Sequence, residues 1–238
     1  MMYISKVLNN LLRNILVHGD TVEKDDAKIL ESMGNHFFID NPAKGKCLKG
    51  FIKSVNDGDY DLKEYGLKGE ALAKYVSAVD NHEQVYLDGE NSFVYSYPNR
   101  IFRQEHRDVM TNQFSVMLVR LLENLGSNRS VANIYNAFLD CDEDDIPCLN
   151  WLQATVRHGE LVLHCMFRSN DIYGAWYGNM LFLTYLGLKM VEELNSDLKK
   201  EGLTGDVSFK GIDYYSTSAH VYDINGVDAW KLFKETQS

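Results

Sequence analysis

Apolar residues recur at the spacing of amphipathic helices in some parts of the chain and alternate with polar residues in others. Because an α-helix repeats every 3.6 residues and a strand every two, these spacings predict the type of element. Helices are predicted over 4–15, 60–76, 109–125 and 174–195, and in a short closing segment that includes Trp230. In the long fourth helix, the positions expected to be buried are Met180, Leu181, Leu183, Leu186 and Met190.

Strand-like patterns fill much of the remaining chain. The predicted strands are a pair over 27–40 broken at Gly34, then 93–98, 130–138, 149–157, 160–168, 205–213 and 216–223. The segment 43–60 is rich in glycine and lysine, and we interpret it as a loop. Strands and helices do not alternate regularly, so the pattern predicts an α+β fold with a mixed sheet packed against helices.

Length and composition bound the function. The chain has 238 residues, 45% of them hydrophobic, which suffices for one sizeable core, and we expect a single domain over 1–238. The formal net charge of −10 opposes binding to nucleic acid or to an anionic membrane, whereas a small anionic substrate needs only a local cluster of cations. Without a spanning apolar run or a signal-peptide pattern, a soluble cytoplasmic protein is expected.

The four cysteines are Cys47, Cys141, Cys148 and Cys165. They are too few and too widely spaced for a disulfide framework, and none forms a close C-x-x-C pair. We therefore expect reduced thiols and no metal site. Cys165 alternates with apolar residues in a predicted strand, as a small buried hydrophobe does. Cys148 instead follows the acidic segment DEDD at the entry to a strand.

The two strands on either side of His158-Gly159 favour a hairpin, which would place Cys148 and Arg168 at the same open end of the sheet. A cysteine reacts as the thiolate, and a nearby guanidinium lowers the pKa of a thiol. Arg168 followed by the hydroxyl of Ser169 also suits a phosphate group. Taken alone, these residues are weak evidence for a nucleophile, because a buried cysteine is more often a small hydrophobe.

Three segments in order resemble one enzyme family: IPCLNWLQ at 146–153, FRSNDIYGAWYGN at 167–179 and SAHVYDIN at 218–225. They resemble thymidylate synthases and, more closely, the bacteriophage deoxycytidylate (dCMP) hydroxymethylases. Near the start, EKDDAKILESMGNHFFIDNP at 23–42 is similar to the strand pair that carries the family's phosphate loop. The resemblance implies a thymidylate synthase-like fold with one face of its sheet at a homodimer interface. If a phage encodes the chain, the expected location is the host cytoplasm.

The resemblance implies folate-dependent transfer of one carbon to C5 of a pyrimidine deoxynucleotide, either dCMP or dUMP. Cys148 would add to C6 of the base, and C5 would then capture the one-carbon unit of 5,10-methylenetetrahydrofolate. After loss of the C5 proton, the exocyclic methylene takes hydride, giving a methyl group, or water, giving a hydroxymethyl group. Glu64, in DYDLKEYGL, matches the family's catalytic glutamate, which relays protons through ordered water.

The resemblance also assigns the groups that bind the nucleotide phosphate. Lys24, Arg168 and Ser169 match phosphate ligands of the family. Arg129 matches an arginine that reaches across the dimer interface. Where the family often has two consecutive arginines, this chain has Asn128-Arg129, so phosphate affinity or partner geometry is expected to differ.

Base, sugar and folate contacts follow from the same resemblance. His220 and Tyr222 match the pair that holds the sugar 3′-hydroxyl, and at i and i+2 of a strand they point the same way. Asn179 takes the base-reading position, where similar dCMP hydroxymethylases carry aspartate. Its amide suits uracil directly and cytosine after a flip, so the base stays open. The remaining assignments are Asp171 for the folate pterin, Tyr97 for the nucleophile pocket and Gln153 as support of that pocket.

Departures from the thymidylate synthase pattern favour hydroxymethylation. Leu149 and Asn150 follow the nucleophile, where those enzymes usually have histidine first. No tryptophan lies between Glu64 and Tyr97, and the chain stops shortly after its last predicted helix. A site that excludes water poorly favours capture of water. Tryptophans elsewhere could supply shielding, so thymidylate synthase activity stays open, as does a catalytically silent scaffold subunit of a nucleotide-synthesis complex.

Overall fold

The computed structural model describes residues 4–24, 27–44, 69–83, 95–106, 109–203 and 206–235. The strands in these segments are β1 (Asp20–Lys24), β2 (Ala27–Asp40), β3 (Gln104–His106), β4 (Val109–Thr111), β5 (Val131–Asn133), β6 (Leu149–Arg157), β7 (Glu160–Asp171) and β8 (Ser208–Tyr222). Six of them form one sheet in the order β1-β2-β8-β7-β6-β5, and β3 pairs with β4. Within the large sheet β7 and β8 run parallel, and the other neighbours are antiparallel. The sheet is therefore mixed, as predicted.

The helices of the described segments are α1 (Ile4–His18), α2 (Gly69–Asn81), α3 (Tyr97–Phe102), α4 (Gln113–Glu123), α5 (Ala137–Asp140), α6 (Trp176–Lys200) and α7 (Gly226–Glu235). Short 3₁₀ turns occupy Pro42–Lys44 and Asp223–Asn225. None of these helices has the length and apolar composition that crossing a membrane requires.

One face of the sheet is buried under helices, chiefly α1 and α6. Alternate residues of the central strands, such as Leu163, Phe167 and Tyr214, are fully buried on this side. The five positions of α6 that the helical spacing marked as buried are no more than 1% exposed. Helices and a mixed sheet thus share one core, and the α+β prediction is confirmed.

The opposite side of the sheet, called here the open face, carries half-buried or exposed side chains. They are His36, Phe38, Trp151, Gln153, Thr155, His164, Met166, Asp213 and Tyr215. Asp213 lies between two imidazoles: its Oδ2 is 2.8 Å from His164 Nδ1 and its Oδ1 is 2.7 Å from His36 Nε2. Burial raises the pKa of Asp213, but these hydrogen bonds outweigh it and hold the pKa below its usual value. The polar centre of the open face is therefore satisfied within one chain.

The starts of two helices differ most from the sequence-based prediction, and two other helices, α1 and α6, end later than predicted, at His18 and Lys200. The helix predicted over 60–76 is seen at Gly69–Asn81, and residues before 69 in that prediction lie outside the described residues, as does most of the predicted loop 43–60. The helix predicted from residue 109 begins at Gln113, because Asn112 Oδ1 accepts a hydrogen bond from Ser115 N at 2.9 Å and caps the first turn.

Four strand predictions are corrected. The strand predicted over 130–138 is a strand only at Val131–Asn133, and Ala137–Asp140 forms the helix α5. In its described part, the strand predicted over 93–98 is wrong, because Ser96 caps a helix that starts at Tyr97, with Pro98 in its first turn. The segment 27–40 is one strand rather than two, and Gly34 is accommodated within it at φ +67°. The segments predicted separately over 205–213 and 216–223 form the single long strand β8.

Candidate active site

Cys148 lies immediately before β6, and Arg168 lies near the end of β7 beside it. The hairpin between these strands turns at His158 and Gly159, both with positive φ, as predicted. The Arg168 N–H donates to the carbonyl of Cys148 at 2.9 Å. The predicted meeting of the thiol and the guanidinium at one end of the sheet is therefore confirmed.

The guanidinium of Arg168 is fixed by the loop that carries the nucleophile. Its Nε donates to the carbonyl of Pro147 at 3.2 Å, and its Nη2 donates to the carbonyl of Ile146 at 2.6 Å. Asn150 Nδ2 donates to the same Pro147 carbonyl at 3.0 Å. The loop and the cation therefore hold each other in place, and the remaining guanidinium N–H groups can serve an anion.

Burial raises the pKa of the half-buried Cys148 thiol above its usual value of 9.0. The positive charge of Arg168, a hydrogen bond from Tyr95 and the charge of Lys24 act in the opposite direction. The expected effect of the guanidinium is thus present, but burial outweighs it. Formation of the thiolate consequently requires removal of a proton by another group or a rise in pH.

Tyr95 and Tyr97 hold the backbone at the nucleophile, and sequence reasoning did not find the first of them. The Cys148 N–H donates to the Tyr95 hydroxyl at 3.4 Å, and the Tyr97 hydroxyl bonds to the backbone of Leu149. Burial, and then the charge of Cys148, raises the pKa of Tyr95 well above its usual value, so its hydroxyl keeps the proton that it donates to sulfur. Tyr97 is only 7% exposed, as expected for a residue of the nucleophile pocket. The signal available in the sequence was two tyrosines separated by Ser96.

The ends of β7 and β8 bring together groups predicted to bind phosphate and sugar. Ser169 Oγ lies 3.4 Å from His220 Nδ1, and both residues are buried. The other ring nitrogen, His220 Nε2, is buried without a hydrogen-bond partner among the described residues. Burial, Lys24 and Arg168 lower the pKa of His220 to about 4. The imidazole is therefore neutral near pH 7 and presents one unused polar atom.

Lys24 and Tyr222 complete this end of the sheet. Lys24 is the last residue of β1, and its Nζ lies 6.0 Å from the centre of the Tyr222 ring. The Tyr222 ring meets the His220 ring edge-on, with centroids 5.2 Å apart. The charges of Lys24 and Arg168 both act on the Cys148 thiol, so these cations and the nucleophile lie at the same end of the sheet.

Asp171 and Asn179 lie on either side of the turn into α6. Asp171 Oδ1 accepts the N–H groups of Tyr173 at 3.1 Å and of Gly174 at 3.0 Å. A Cβ at Gly174 would lie 2.3 Å from Asp171 Oδ2, so the carboxylate can lie against this turn only because residue 174 is glycine. Asn179 is half-buried in the first turns of α6, and its N–H donates to the carbonyl of Ala175.

Arg129 and Gln153 lie away from the nucleophile of their own chain. Gln153 is on the open face and donates from Nε2 to the carbonyl of Asn128 at 2.6 Å. Its observed contact is therefore with the arginine loop, residues 127–130, rather than with the nucleophile pocket. Arg129 is exposed just before β5, where Val131 pairs with Gln153. At about 3.3 Å per residue along β6, Cys148 is roughly 16 Å from that pairing.

The remaining predicted residues fall into three groups. Glu64 and Cys47 lie outside the described residues. Cys165 is a buried free thiol whose pKa burial raises strongly, and Cys141 is an exposed one. Within the described part of the chain, no cluster of histidine, cysteine and carboxylate side chains has the arrangement of a metal site.

Comparison with known proteins gives a consistent family. A chain of Methanothermobacter marburgensis, described as "Putative thymidylate synthase", is 31% identical over 170 residues, which is 71% of this chain and 67% of that protein. A chain of Methanocaldococcus jannaschii with the same description is 25% identical over 225 residues, 92% of this chain and 87% of that protein. No family model matches the chain.

The fold has a counterpart among solved structures. Thermostable thymidylate synthase A from Bacillus subtilis matches with a TM-score of 0.60 over 98% of this chain and 84% of that chain, at 17% sequence identity. The protein thus has the thymidylate synthase fold. Together with the sequence relatives, this shows that the chain belongs to the thymidylate synthase family.

Proposed function

We propose that this protein catalyses folate-dependent transfer of one carbon to C5 of a pyrimidine deoxynucleoside monophosphate, with Cys148 as the nucleophile. The observation that carries the proposal is the placement of a thiol beside the fixed Arg168 guanidinium and Ser169, at the end of the sheet that also presents His220. A structural cysteine needs no such surroundings. The retained set also argues against a catalytically silent scaffold subunit.

The pocket suits a nucleotide because its cations and its neutral polar groups lie side by side. Arg168, Lys24 and the Ser169 hydroxyl would bind the phosphate, since a guanidinium and a hydroxyl supply directed donors to its oxygens. His220 Nε2, neutral and without a protein partner among the described residues, would bond the sugar 3′-hydroxyl together with Tyr222. With the sugar and phosphate held in this way, the base would lie against Cys148.

Attack of Cys148 on C6 of the base forms a carbon–sulfur bond and leaves C5 as a carbon nucleophile. Because burial raises the pKa of the thiol, its proton must leave before or during attack. Tyr95 donates a hydrogen bond to sulfur and so stabilises the thiolate. Glu64, which lies outside the described residues, is proposed from the family resemblance to move protons at C5.

The residues present fit 5,10-methylenetetrahydrofolate as cofactor. The Asp171 carboxylate lies beside Gly174 at the end of β7, and a carboxylate is the kind of acceptor that the N–H groups of a pterin require. When bound, the folate supplies the one-carbon unit. Asp171 would bind it, while the turn that Asp171 caps fixes the start of α6 and therefore the position of Asn179.

We propose hydroxymethylation, in which water completes the reaction, as the product-forming step. The residues after Cys148 support it: Leu149 is fully buried and Asn150 bonds the Pro147 carbonyl, so neither replaces the histidine usual in thymidylate synthases. Trp176 is one of the tryptophans that could have shielded the intermediate from water. It is instead fully buried in the core, with its ring 6.0 Å from that of Tyr214. The base is proposed to be cytosine or uracil, read by Asn179.

Reductive methylation of dUMP is the second candidate function, and the relatives described as thymidylate synthases favour it. One experiment separates the two. The protein is incubated with methylenetetrahydrofolate and either dCMP or dUMP, and the nucleotide product is weighed by mass spectrometry. A gained hydroxymethyl group supports the main proposal. A gained methyl group, with dihydrofolate detected by absorbance, supports the second.

The same assay tests the nucleophile. Cys148→Ala should abolish turnover and exchange of the C5 proton, because no sulfur adds to C6. Nucleotide binding should persist, since Arg168 and Ser169 remain. Turnover by Cys148→Ala at the parent rate would remove the proposed mechanism, and absence of turnover by the parent with both nucleotides would favour a scaffold role.

A homodimer with composite phosphate sites is part of the proposal. The exposed Met166 and Tyr215 lie on the open face, whose polar centre is already hydrogen-bonded, so a second copy can cover it at little desolvation cost. Arg129 lies too far along the sheet to reach the phosphate beside its own Cys148. A second copy of the chain would bring it there.

A further inference from the structure

The loop that carries Arg129 is fixed by hydrogen bonds that the sequence did not suggest. Asn128 stands where the family often has a first arginine, and its side chain is directed toward the end of β6. Its Oδ1 accepts from Arg157 Nη2 at 2.5 Å, while its carbonyl accepts from Gln153 Nε2 at 2.6 Å. The Arg129 N–H donates to Ser127 Oγ at 3.1 Å. The loop conformation is thus set from two sides.

Arg157 is held by the same contacts in a defined orientation. Its Nη1 donates to the carbonyl of Val156 at 2.7 Å, so the guanidinium plane is fixed at two nitrogens. The side chains of Arg129 and Arg157 belong to exposed residues, and within the described part of the chain neither forms a salt bridge with a carboxylate. Two guanidinium groups therefore lie at one edge of the sheet with donors to spare.

We infer that Arg157 is the second guanidinium of the phosphate site that Arg129 presents to a second copy of the chain, with Asn128 as its positioning residue. This inference rests on the proposed function, since it names a further ligand of the same substrate phosphate. The chain has one arginine in the loop where the family often has two. In place of the absent second arginine of the loop, the Asn128–Arg157 contact brings a guanidinium group from the neighbouring strand β6.

Geometry and charge support the assignment to a second copy. Arg157 is the last residue of β6, whereas Cys148 precedes its first residue, so roughly 30 Å of extended strand separates them. An arginine side chain cannot span that distance within its own subunit. The protein carries a net charge of −10, so an anionic nucleotide depends on local cations, and a paired guanidinium site concentrates them.

The test measures the part of the affinity that comes from the phosphate. The full chain with Cys148→Ala, which keeps all phosphate ligands, is titrated calorimetrically with the nucleoside monophosphate that the parent turns over and with the matching nucleoside. Adding Arg157→Ala should weaken binding of the monophosphate about ten- to a hundredfold, since a hydrogen bond to a charged group is lost. Binding of the nucleoside should stay unchanged. Arg157→Lys keeps the charge without the fork and should give an intermediate loss.

Two control variants separate a direct role from a change in folding or net charge. Arg13→Ala removes the same charge from an exposed position on α1 and should leave both affinities unchanged. Asn128→Ala keeps both arginines but removes the hydrogen bond that orients Arg157. It should weaken binding of the monophosphate less than Arg157→Ala does. Equal loss of nucleoside and monophosphate binding in Arg157→Ala would indicate a structural role and overturn the inference.

Subunit mixing identifies which copy supplies Arg157. In an otherwise native background, Arg157→Ala should raise KM for the nucleotide with little change in kcat. Mixing that variant with Cys148→Ala should restore the parent KM in the hybrid, because the only active site then receives Arg157 from the other subunit. Unrestored KM, or unchanged monophosphate affinity in Arg157→Ala, overturns the inference while leaving the proposed reaction intact. A parent that binds no nucleotide overturns both.

Discussion

At the scale of single residues, the reactivity of Cys148 is set by opposed contributions. Burial raises the pKa of its thiol, and Arg168, Tyr95 and Lys24 lower it. Of these three residues, Tyr95 acts through a hydrogen bond to sulfur. This bond is directional, and removing the hydroxyl oxygen of Tyr95 removes it. The two cations act over distance and also serve the proposed phosphate site. Tyr95 is therefore the residue at which the thiol can be altered without removing a phosphate ligand.

Tyr95→Phe should raise the pKa of the Cys148 thiol further. The hydroxyl stabilises the thiolate, so its loss favours the protonated form, and the rise of alkylation rate with pH moves to higher pH. At a fixed pH below the thiol pKa, the rate constant for iodoacetamide should fall about ten- to a hundredfold, since a hydrogen bond to a charged group contributes about 1.5–3 kcal/mol. The measurement is mass-spectrometric alkylation kinetics in a background with Cys47→Ser and Cys141→Ser.

Tyr75→Phe is the matched control for this experiment. Tyr75 lies in the same aromatic cluster, with its ring 6.2 Å from that of Tyr97, and its hydroxyl bonds the backbone of Tyr97 rather than sulfur. Its loss should leave the alkylation profile of Cys148 unchanged. If Tyr95→Phe and Tyr75→Phe shift the profile equally, the cluster acts only through packing, and the hydrogen bond to sulfur has no separate effect.

Asn179→Asp should shift the preference between nucleotides toward dCMP. Asparagine satisfies uracil directly, whereas aspartate removes the donor that uracil O4 needs and offers an acceptor to the cytosine amino group. A buried hydrogen bond lost or unpaired costs about 1–3 kcal/mol, or roughly ten- to a hundredfold in the ratio of kcat/KM values. Competition assays with both nucleotides present measure that ratio.

Asn124→Asp adds the same charge at the exposed C-cap of α4 and keeps the oxygen that accepts from Gly126 N, so it should leave the ratio unchanged. An unchanged or opposite ratio for Asn179→Asp would mean that Asn179 does not read the base. The family register after Asp171 would then have to be abandoned.

Residue-level predictions succeeded where a motif fixed the position and failed where a contact joined distant segments. Cys148 and Arg168 were found together because a short hairpin connects their strands. Tyr95 was missed because its contact with Cys148 spans 53 positions of the sequence, and no local sequence pattern predicts such a contact. Gln153 was expected at the nucleophile pocket, but the alternation of β6 places it on the open face beside the arginine loop.

At the scale of elements, β8 connects the two halves of the sheet. It pairs antiparallel with β2 and parallel with β7, and its end carries His220 and Tyr222. Its pairing with β7 shifts by one residue near Val162, and Gly211 comes directly after that shift. A Cβ on Gly211 would lie 2.1 Å from the carbonyl oxygen of Ile39. Close approach of β8 to β2 therefore requires glycine at this position.

Gly211→Ala should destabilise the fold by about 1–3 kcal/mol or more, the usual cost of overpacking, because the obstructing atom belongs to backbone and cannot rotate away. Urea unfolding followed by circular dichroism gives the change in free energy. Gly226→Ala is the control: no atom lies within 4 Å of a Cβ built there, at the start of α7, so stability should be unchanged or slightly higher. Equal stability of the two variants would contradict the close-packing argument.

Element types were predicted better than element limits, for reasons visible in particular segments. The 3.6-residue spacing identified α6 because its apolar face is long and continuous. The break predicted at Gly34 did not occur, since pairing with β8 on both sides of the glycine holds β2 together. The aromatic run at Tyr95 to Pro98 looked strand-like, but the serine cap and proline at a helix start outweighed propensity there. Tertiary pairing and capping decided these cases.

At the scale of the whole molecule, two features bear on assembly: the separation of Arg129 from Cys148, and a sheet face that no helix of the described residues covers. Cys148, Arg168 and Lys24 meet at one end of the sheet, while Arg129 is exposed near the other end of β6. The open face carries Met166 and Tyr215 at 41% and 38% exposure. A twofold dimer through this face would bury the apolar side chains and exchange the arginines between sites. The proposed composite site therefore requires the proposed dimer.

Subunit mixing tests this arrangement directly. Arg129→Ala and Cys148→Ala homodimers should each be weakly active or inactive, and mixing them under exchange conditions should restore activity, because one site of the hybrid combines an intact Cys148 with the partner's intact arginine. Lys24→Ala mixed with Cys148→Ala is the matched control and should show no rescue, since Lys24 acts on Cys148 within one chain. Sedimentation velocity of the parent should show a dimer. A monomer with full activity, or no rescue in the Arg129→Ala mixture, would show that each chain builds its site alone.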